Sequence, residues 1–273
     1  MAGGPPVITF LSDYGLEDGF VGICHAVIAG ICPEARVIDV SHLVARQDVR
    51  AGALLLATAL PYLPVSVHLA VVDPGVGGDR RAVALRTGDG RRLVGPDNGL
   101  LWPAAQAGGG VVEAADIARS RHRLEPVSAS FHGRDIFAPV AAHLAAGLAA
   151  AEAGDPLDPS ELVRLELPRP QVRDDGVVIA HALYIDRYGN AQLDAGVGEL
   201  GDVGVRLGRP VAIQLGSGAD HRARFVRTFA DVEPGELLLY EDSGRRLALA
   251  VRDGDAAHRL GLAVDDEVWL RAS

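Results

Sequence analysis

The chain has 273 residues, 48% hydrophobic and 23% charged, with a formal net charge of −10. That size supports one large domain or two ordinary ones, and the acidic balance argues against a nucleic acid or an anionic membrane surface as partner. All 26 basic residues are arginine, which removes Schiff-base, pyridoxal-phosphate and P-loop lysine chemistry together.

"PPVITFLSD" reads as a strand ending at Asp13, with no basic segment and signal-like apolar core before it. Phe20, Ile23, Val27 and Ile31 then recur at helical spacing and predict a helix. Cys24 and Cys32 would stand eight residues apart on it, roughly 12 Å along the axis and too far for a disulfide. Two reduced, buried cysteines fit a cytoplasmic protein.

"ARVIDVS" is the next strand, followed by an Ala/Leu-rich helix from Val49 to Leu60. "SVHLAVVD" is a third strand, ending at Asp73, and "AVALRT", "RLVGPDNGLL" and "VVEAAD" continue the pattern. Ile136 to Leu148 forms another helix, and the Ala-rich stretch around it is too short to span a bilayer. This alternation predicts an α/β N-terminal domain over residues 1–166, a mixed, mostly parallel sheet with helices on both faces.

"LPRPQVRDDG" (167–176) reads as a linker. Beyond it lie short strands: "VVIAHALYID", "VAIQL", "ARFVRTF", "ELLLYED", "RLALAVR" and "EVWLRA". Helical periodicity is confined to Ala256–Leu260, so residues 177–273 are expected to form an antiparallel β-barrel-like domain.

Chemistry is expected first at Asp13 and Asp73, because ligands bind at the carboxyl ends of parallel strands. Helix capping is the alternative reading for each aspartate. Asp73 opens "DPGVGGDRR", where a carboxylate beside Arg80 and Arg81 suggests a held charge; side-chain alternation lets only one arginine face a site. The loop fails as a dinucleotide fingerprint because Arg80 stands where the third glycine belongs. "SFHGRDIF" places His132 and Arg134 just before a helix. The nine histidines show no HxH or HExxH spacing, no cysteine pair supports them, and no GxSxG elbow occurs, so neither a metal nor a cofactor is expected. In "YIDRYGNAQLD", Tyr188 can stack on a flat ring and Asn190 offers an amide matching a purine edge. Asp186 of the same stretch joins them as a substrate-binding candidate, against the alternative of a plain hairpin turn.

Taken in order, "FLSDYGLEDGFVG", "VVDPGVGGDRRAV", "GPDNGLL", "FHGRDIFAPVAAHLA", "YIDRYGN" and "DSGRRLALAV" resemble the S-adenosylmethionine hydroxide adenosyltransferases, relatives of fluorinase and chlorinase. The resemblance implies an N-terminal α/β domain, a C-terminal barrel and a homotrimer with sites at subunit interfaces. It implies a catalytic trio at Asp73, Arg80 and His132, with Arg81 as the fallback for Arg80. Adenosine contacts fall on Asp13, Asn190, Ser243 and the backbone near Val251. The family pattern Asn-Ser-x-Gly-Tyr is replaced by Asp242-Ser243-Gly244-Arg245-Arg246. The implied reaction is attack of water on C5′ of S-adenosyl-L-methionine, giving adenosine and L-methionine, with the (R)-sulfonium epimer as the substrate of some members. Two other activities stay open at this point, a halogenase and a non-catalytic S-adenosylmethionine- or adenosine-binding sensor. Related halogenases carry Tyr in place of Asp73, and Gly133 supplies no hydroxyl for a halide, which favours the hydrolase.

Overall fold

The computed structural model describes residues 4–216 and 218–273. The chain divides into two compact units, Met1–Leu165 and Glu166–Ser273.

The first unit runs β1 (Val7–Ser12), α1 (Phe20–Ile31), β2 (Arg36–Ser41), α2 (Val49–Ala59), β3 (Val67–Val71), β4 (Ala82–Thr87), β5 (Arg92–Pro96), α3 (Trp102–Ala107), β6 (Val111–Asp116), α4 (Ala138–Ala145) and β7 (Asp155–Leu157). These strands make one sheet in the order β2-β1-β3-β5-β4-β6-β7. Strands β2, β1, β3 and β5 are mutually parallel, β4 runs against both β5 and β6, and β7 runs against β6. The sheet is therefore mixed, with most strands pointing one way.

Side chains that alternate along a strand reach opposite faces, and here both faces are covered. Ile8 and Phe10 of β1 and Val67, Leu69 and Val71 of β3 pack with Cys24 and Ile28 of α1 and Val140 and Leu144 of α4. Leu11, Ala70 and Val72 turn the other way, onto Ala53 and Leu56 of α2 and Ala104 of α3. Double coverage is why these strands read as continuous apolar runs rather than as alternating ones.

The predicted first helix forms, but its buried stripe is Cys24, Ile28 and the cap residue Cys32, while Phe20 and Ile23 stay exposed. Both cysteines are free and buried. Helix α2 begins where the Asp48 carboxylate accepts the Ala51 N–H at 2.8 Å. The helix expected from Ile136 starts earlier, as a π-helical turn over Gly133–Phe137 that runs into α4.

The second unit holds β8 (Gln171–Val172), β9 (Val177–Ile185), β10 (Ala191–Leu193), α5 (Val197–Asp202), β11 (Pro210–Leu215), β12 (Asp220–Phe225), β13 (Leu237–Glu241), β14 (Leu247–Val251), α6 (Ala256–Leu260) and β15 (Glu267–Ala272). The order β10-β14-β13-β12-β11-β15-β9 returns to β10, closing a seven-stranded barrel. All its pairs are antiparallel except β12 with β13. Gln171 and Val172, inside the stretch read as a linker, pair with β9. The short helix α5 was not expected from periodicity; Glu199 caps it by accepting the Gly196 N–H at 3.0 Å. Among the described residues, no helix is long and apolar enough to cross a membrane.

Candidate active site

Adjacent parallel strands β1 and β3 are paired Ser12 to Val71, so Asp13 and Asp73 emerge at the same carboxyl edge of the sheet. After Asp73 the chain turns tightly: the Val76 N–H donates to the Asp73 carbonyl at 3.2 Å and the Gly78 N–H to that of Gly75 at 3.0 Å. Gly77 has φ +77°, and a Cβ there would lie 2.2 Å from the Ala129 carbonyl oxygen. Only glycine permits that conformation and that approach. The turn is thereby pressed against the segment that leads into His132.

The result is a connected trio with Arg80 at its centre. Arg80 forks onto Asp73, with Nε donating to Oδ1 at 2.9 Å and Nη2 donating to Oδ2. The same Nη2 lies 2.8 Å from His132 Nδ1. Arg80 and Asp73 side chains are only 11% and 6% exposed, so the pair is little screened by bulk solvent. The guanidinium also sits over the Phe137 ring, 5.3 Å from its centre. Arginine can only donate, so His132 Nδ1 accepts, and the neutral ring carries its hydrogen on Nε2. Burial, seconded by the Arg80 cation, holds His132 below the usual histidine range, with Asp73 pulling weakly the other way.

Arg81 points elsewhere. Its Nε donates to Asp97 Oδ2 at 2.8 Å, and its terminal nitrogens reach the Glu161 carboxylate and carbonyl. Alternation between neighbouring arginines thus separates a site residue from a structural one. "GPDNGLL" has the same positioning role: Asp97 takes Arg81, while Asn98 Nδ2 donates to the Val72 carbonyl at 2.9 Å, clamping the residue before Asp73. Arg134 is bound to its neighbour Asp135 through two hydrogen bonds of 2.6 and 2.8 Å and stacks on Phe131.

Asp13 is half-buried, and its Oδ2 accepts the Gln47 N–H at 2.8 Å. Beside it is a residue the sequence reading passed over. Tyr14 brings its hydroxyl against Gly133, where any Cβ would come within 2.0 Å of it. Burial pushes the Tyr14 phenol well up, with Cys24, Asp73 and Asp13 acting in the same direction. Its ring packs edge-on to Phe131 at 5.9 Å and tilted on Phe20 at 5.8 Å. The quoted "SDYG" segment contained the signal, but nothing in its spacing showed that Tyr14 and Gly133 meet.

In the second unit, Asp186 organises the β9–β10 loop. Its Oδ1 accepts the N–H groups of Tyr188 at 2.8 Å and Asn190 at 2.9 Å, and its Oδ2 accepts the Asn190 side-chain amide at 2.8 Å. Asn190 is half-buried with its amide hydrogens directed to Asp186, and Tyr188 is 68% exposed. The β10–β14 register, Ala191 with Leu249, sets Asn190 beside the strand end at Val251. Ser243 lies instead in the β13–β14 hairpin, at the opposite end of β14. The Asp242 carboxylate shapes that hairpin by accepting the N–H groups of Gly244 at 2.8 Å and Arg246 at 3.0 Å. The β10–β14 register groups Asp186, Tyr188, Asn190 and Val251, and the Ser243 hairpin is tied to β10 through Asp242, whose Oδ2 accepts from the Gln192 side-chain amide.

A doubly covered α/β sheet with an Asp–Arg–His trio at its carboxyl edge, followed by a closed barrel, has the make-up of an enzyme acting on a small molecule. Comparison with known proteins narrows the class. Residues 8–154 match the SAM hydroxide adenosyltransferase N-terminal domain, and residues 180–269 match the corresponding C-terminal domain. The chain belongs to the SAM hydroxide adenosyltransferase family. It is 50% identical to the (R)-S-adenosyl-L-methionine hydrolase of Salinispora tropica over 98% of both chains. The enzyme of that name from Thermus thermophilus is 40% identical, over 93% of this chain and 95% of the relative. A fluorinase from Actinoplanes is more distant, at 28% identity over 91% of this chain and 92% of the relative. Among solved structures, an uncharacterised conserved protein from Thermotoga maritima superposes with a TM-score of 0.89 at 36% identity, covering 97% of this chain and 99% of that one.

Proposed function

We propose that the chain hydrolyses S-adenosyl-L-methionine to adenosine and L-methionine. The observation that carries this reading is the hydrogen-bonded, half-buried Asp73–Arg80–His132 trio in a chain 40–50% identical to hydrolases of that name. In the reaction an oxygen–carbon bond forms at C5′ while the C5′–sulfur bond breaks, its electron pair passing to sulfur. The leaving thioether is neutral, so the departing group needs no acid. What remains is to hold a water in line and accept its proton.

The trio assigns those tasks. Arg80 occupies one direction on each Asp73 oxygen and fixes the carboxylate plane, leaving the remaining lone pairs to accept from water. With its hydrogen on Nε2, His132 orients the water as a donor, so the proton passes to Asp73. Asp13 would meet the ribose hydroxyls and Asn190 the adenine, through the amide oxygen that Asp186 leaves unengaged. Tyr188, Asp186, Ser243 and the Val251 backbone complete the proposed substrate contacts.

The names of the relatives support the (R)-sulfonium epimer as substrate. A homotrimer, with sites completed by a neighbouring subunit, belongs to the same proposal, as do a cytoplasmic setting and a displacement without metal or cofactor. Incubating the purified chain with each epimer and following adenosine and methionine tests the reading. Release of both products from the (R) form is expected. Saturable binding of both epimers without turnover would make the chain a sensor instead.

A further inference from the structure

We propose that His25, Asp39 and His42 form a binding site for a divalent transition-metal ion, distinct from the Asp73–Arg80–His132 trio. His25 comes from α1, Asp39 from β2 and His42 from the turn that follows β2. Asp39 Oδ1 lies 2.9 Å from His25 Nε2 and 2.9 Å from His42 Nε2. All three donor atoms fall within 4.8 Å of one another. Donors about 2.0–2.2 Å from a tetrahedral ion stand roughly 3.4 Å apart, so each Asp39–histidine pair has to open by about half an ångström to seat one. Two imidazoles and one carboxylate also make a donor set that first-row transition ions favour.

The state of His42 points the same way. The residue is only 4% exposed. Its Nδ1 is fixed by Ser12 Oγ at 2.8 Å, as the outer nitrogen of a metal-bound histidine is usually fixed. Its Nε2 is buried and has no hydrogen-bond partner. Its nearest oxygen is Asp39 Oδ1 at 2.9 Å, the same atom that meets His25. A cation between the two would satisfy both. The Phe10 ring, 4.6 Å from that of His42, closes the inner side, while Asp39 is 42% exposed and gives an ion a way in. A Ser12–His42–Asp39 nucleophile triad is the competing arrangement, but Ser12 is fully buried, so its hydroxyl has no access to a substrate.

The ion would serve position rather than chemistry. Ser12 precedes Asp13, and the His42 carbonyl accepts the Gly15 N–H at 2.8 Å, so the site grips both sides of the turn that carries Asp13. Only this last consequence rests on the proposed hydrolysis.

The test uses full-length, tag-free chain stripped with chelator and dialysed against Co²⁺ or Zn²⁺. Bound metal is measured by elemental analysis, and the cobalt form by its visible spectrum. One equivalent per chain is expected, with affinity reduced at least tenfold in Asp39→Asn and in His25→Gln. Both positions are partly exposed, and thermal melting of the metal-free variants checks that they fold. Ser12→Ala is expected to weaken binding in the same direction through His42. The site is overturned if the wild-type chain shows no saturable binding, or if it binds no better than both folded ligand variants. Neither readout needs turnover, so its outcome is independent of whether the chain is a hydrolase.

Discussion

Two loops in this chain are built around an aspartate and a glycine, and they use the carboxylate differently. In the first unit, Asp73 is held by the Arg80 side chain, which in turn meets His132. In the second, Asp186 accepts two backbone N–H groups and the Asn190 amide. One carboxylate is braced from the side and keeps lone pairs for a reactant, while the other is absorbed into shaping its own loop. On the proposed mechanism, the difference separates a group that reacts from a group that presents another.

The sharpest way to break that contrast is to remove the charge of Asp73 while keeping its shape. Asp73→Asn is expected to lower turnover about 10²–10⁴-fold, the range of a lost general base, with much smaller loss of adenosine binding. Stopped-assay turnover and adenosine titration measure the two quantities separately. Near-normal turnover would take the proton-accepting role away from Asp73.

Acid should part the two units next. Among the described residues, the histidines that burial holds below their usual range are His68, His122, His132 and His143, all in the first unit. His68 is lowered to about 4 from 6.5. Between those values the unfolded chain binds more protons than the folded one, so stability is full above pH 6.5 and is lost as pH falls toward 4. For His68 alone this amounts to about 3 kcal/mol. The two tryptophans, Trp102 and Trp269, report the units separately by fluorescence once the other is replaced by Phe. The Trp102 signal should fail first on acidification, and His68→Gln should flatten its slope. Coincident loss of both signals, unchanged in that variant, would refute the assignment.

A smaller effect is expected at the presenting loop. Asp186→Ala frees Asn190 and removes three hydrogen bonds, and should raise KM about tenfold with kcat nearly unchanged, as expected for binding shared by ground and transition states. A fall in kcat of that size instead would place Asp186 near the reacting atoms. The least effect belongs to Arg81→Ala. That side chain serves Asp97 and Glu161, so turnover should stay within about twofold, whereas Arg80→Ala should behave like the Asp73 variant.

The sequence carried the alternation of strands and helices because each buried strand is a long apolar run and the longer helices α1, α2 and α4 are rich in apolar residues; the six-residue α3 went unread. It carried Asp13 and Asp73 because strand ends can be placed without knowing which strands are neighbours. It did not show that the stripe of α1 is centred on Cys24 and Ile28, since Phe20 and Ile23 are apolar yet exposed. It missed α5, whose six residues are too short for periodicity to appear. The family spacing favoured Arg80 over Arg81, but the partners that separate them, His132 before α4 and Asp97 just after β5, could not be read locally. Likewise, His25 of α1 and His42 after β2 meet through Asp39, which no local spacing records.

The barrel seam has a consequence for how copies of this chain can associate. Strand β10 covers β9 over Ala182–Ile185, and the two residues of β8 cover Val178 and Ile179, where β10 does not reach. The open sheet of the first unit ends on β7, three residues long with Pro156 at its centre, and on β2, which carries the charged Arg36 and Asp39. Exposed strand flanks are the templates on which foreign strands add, and shortness, proline and charge all blunt them. Edge-to-edge pairing of native chains is thereby disfavoured, and cross-β aggregation is favoured from chains that have lost one of these sheets.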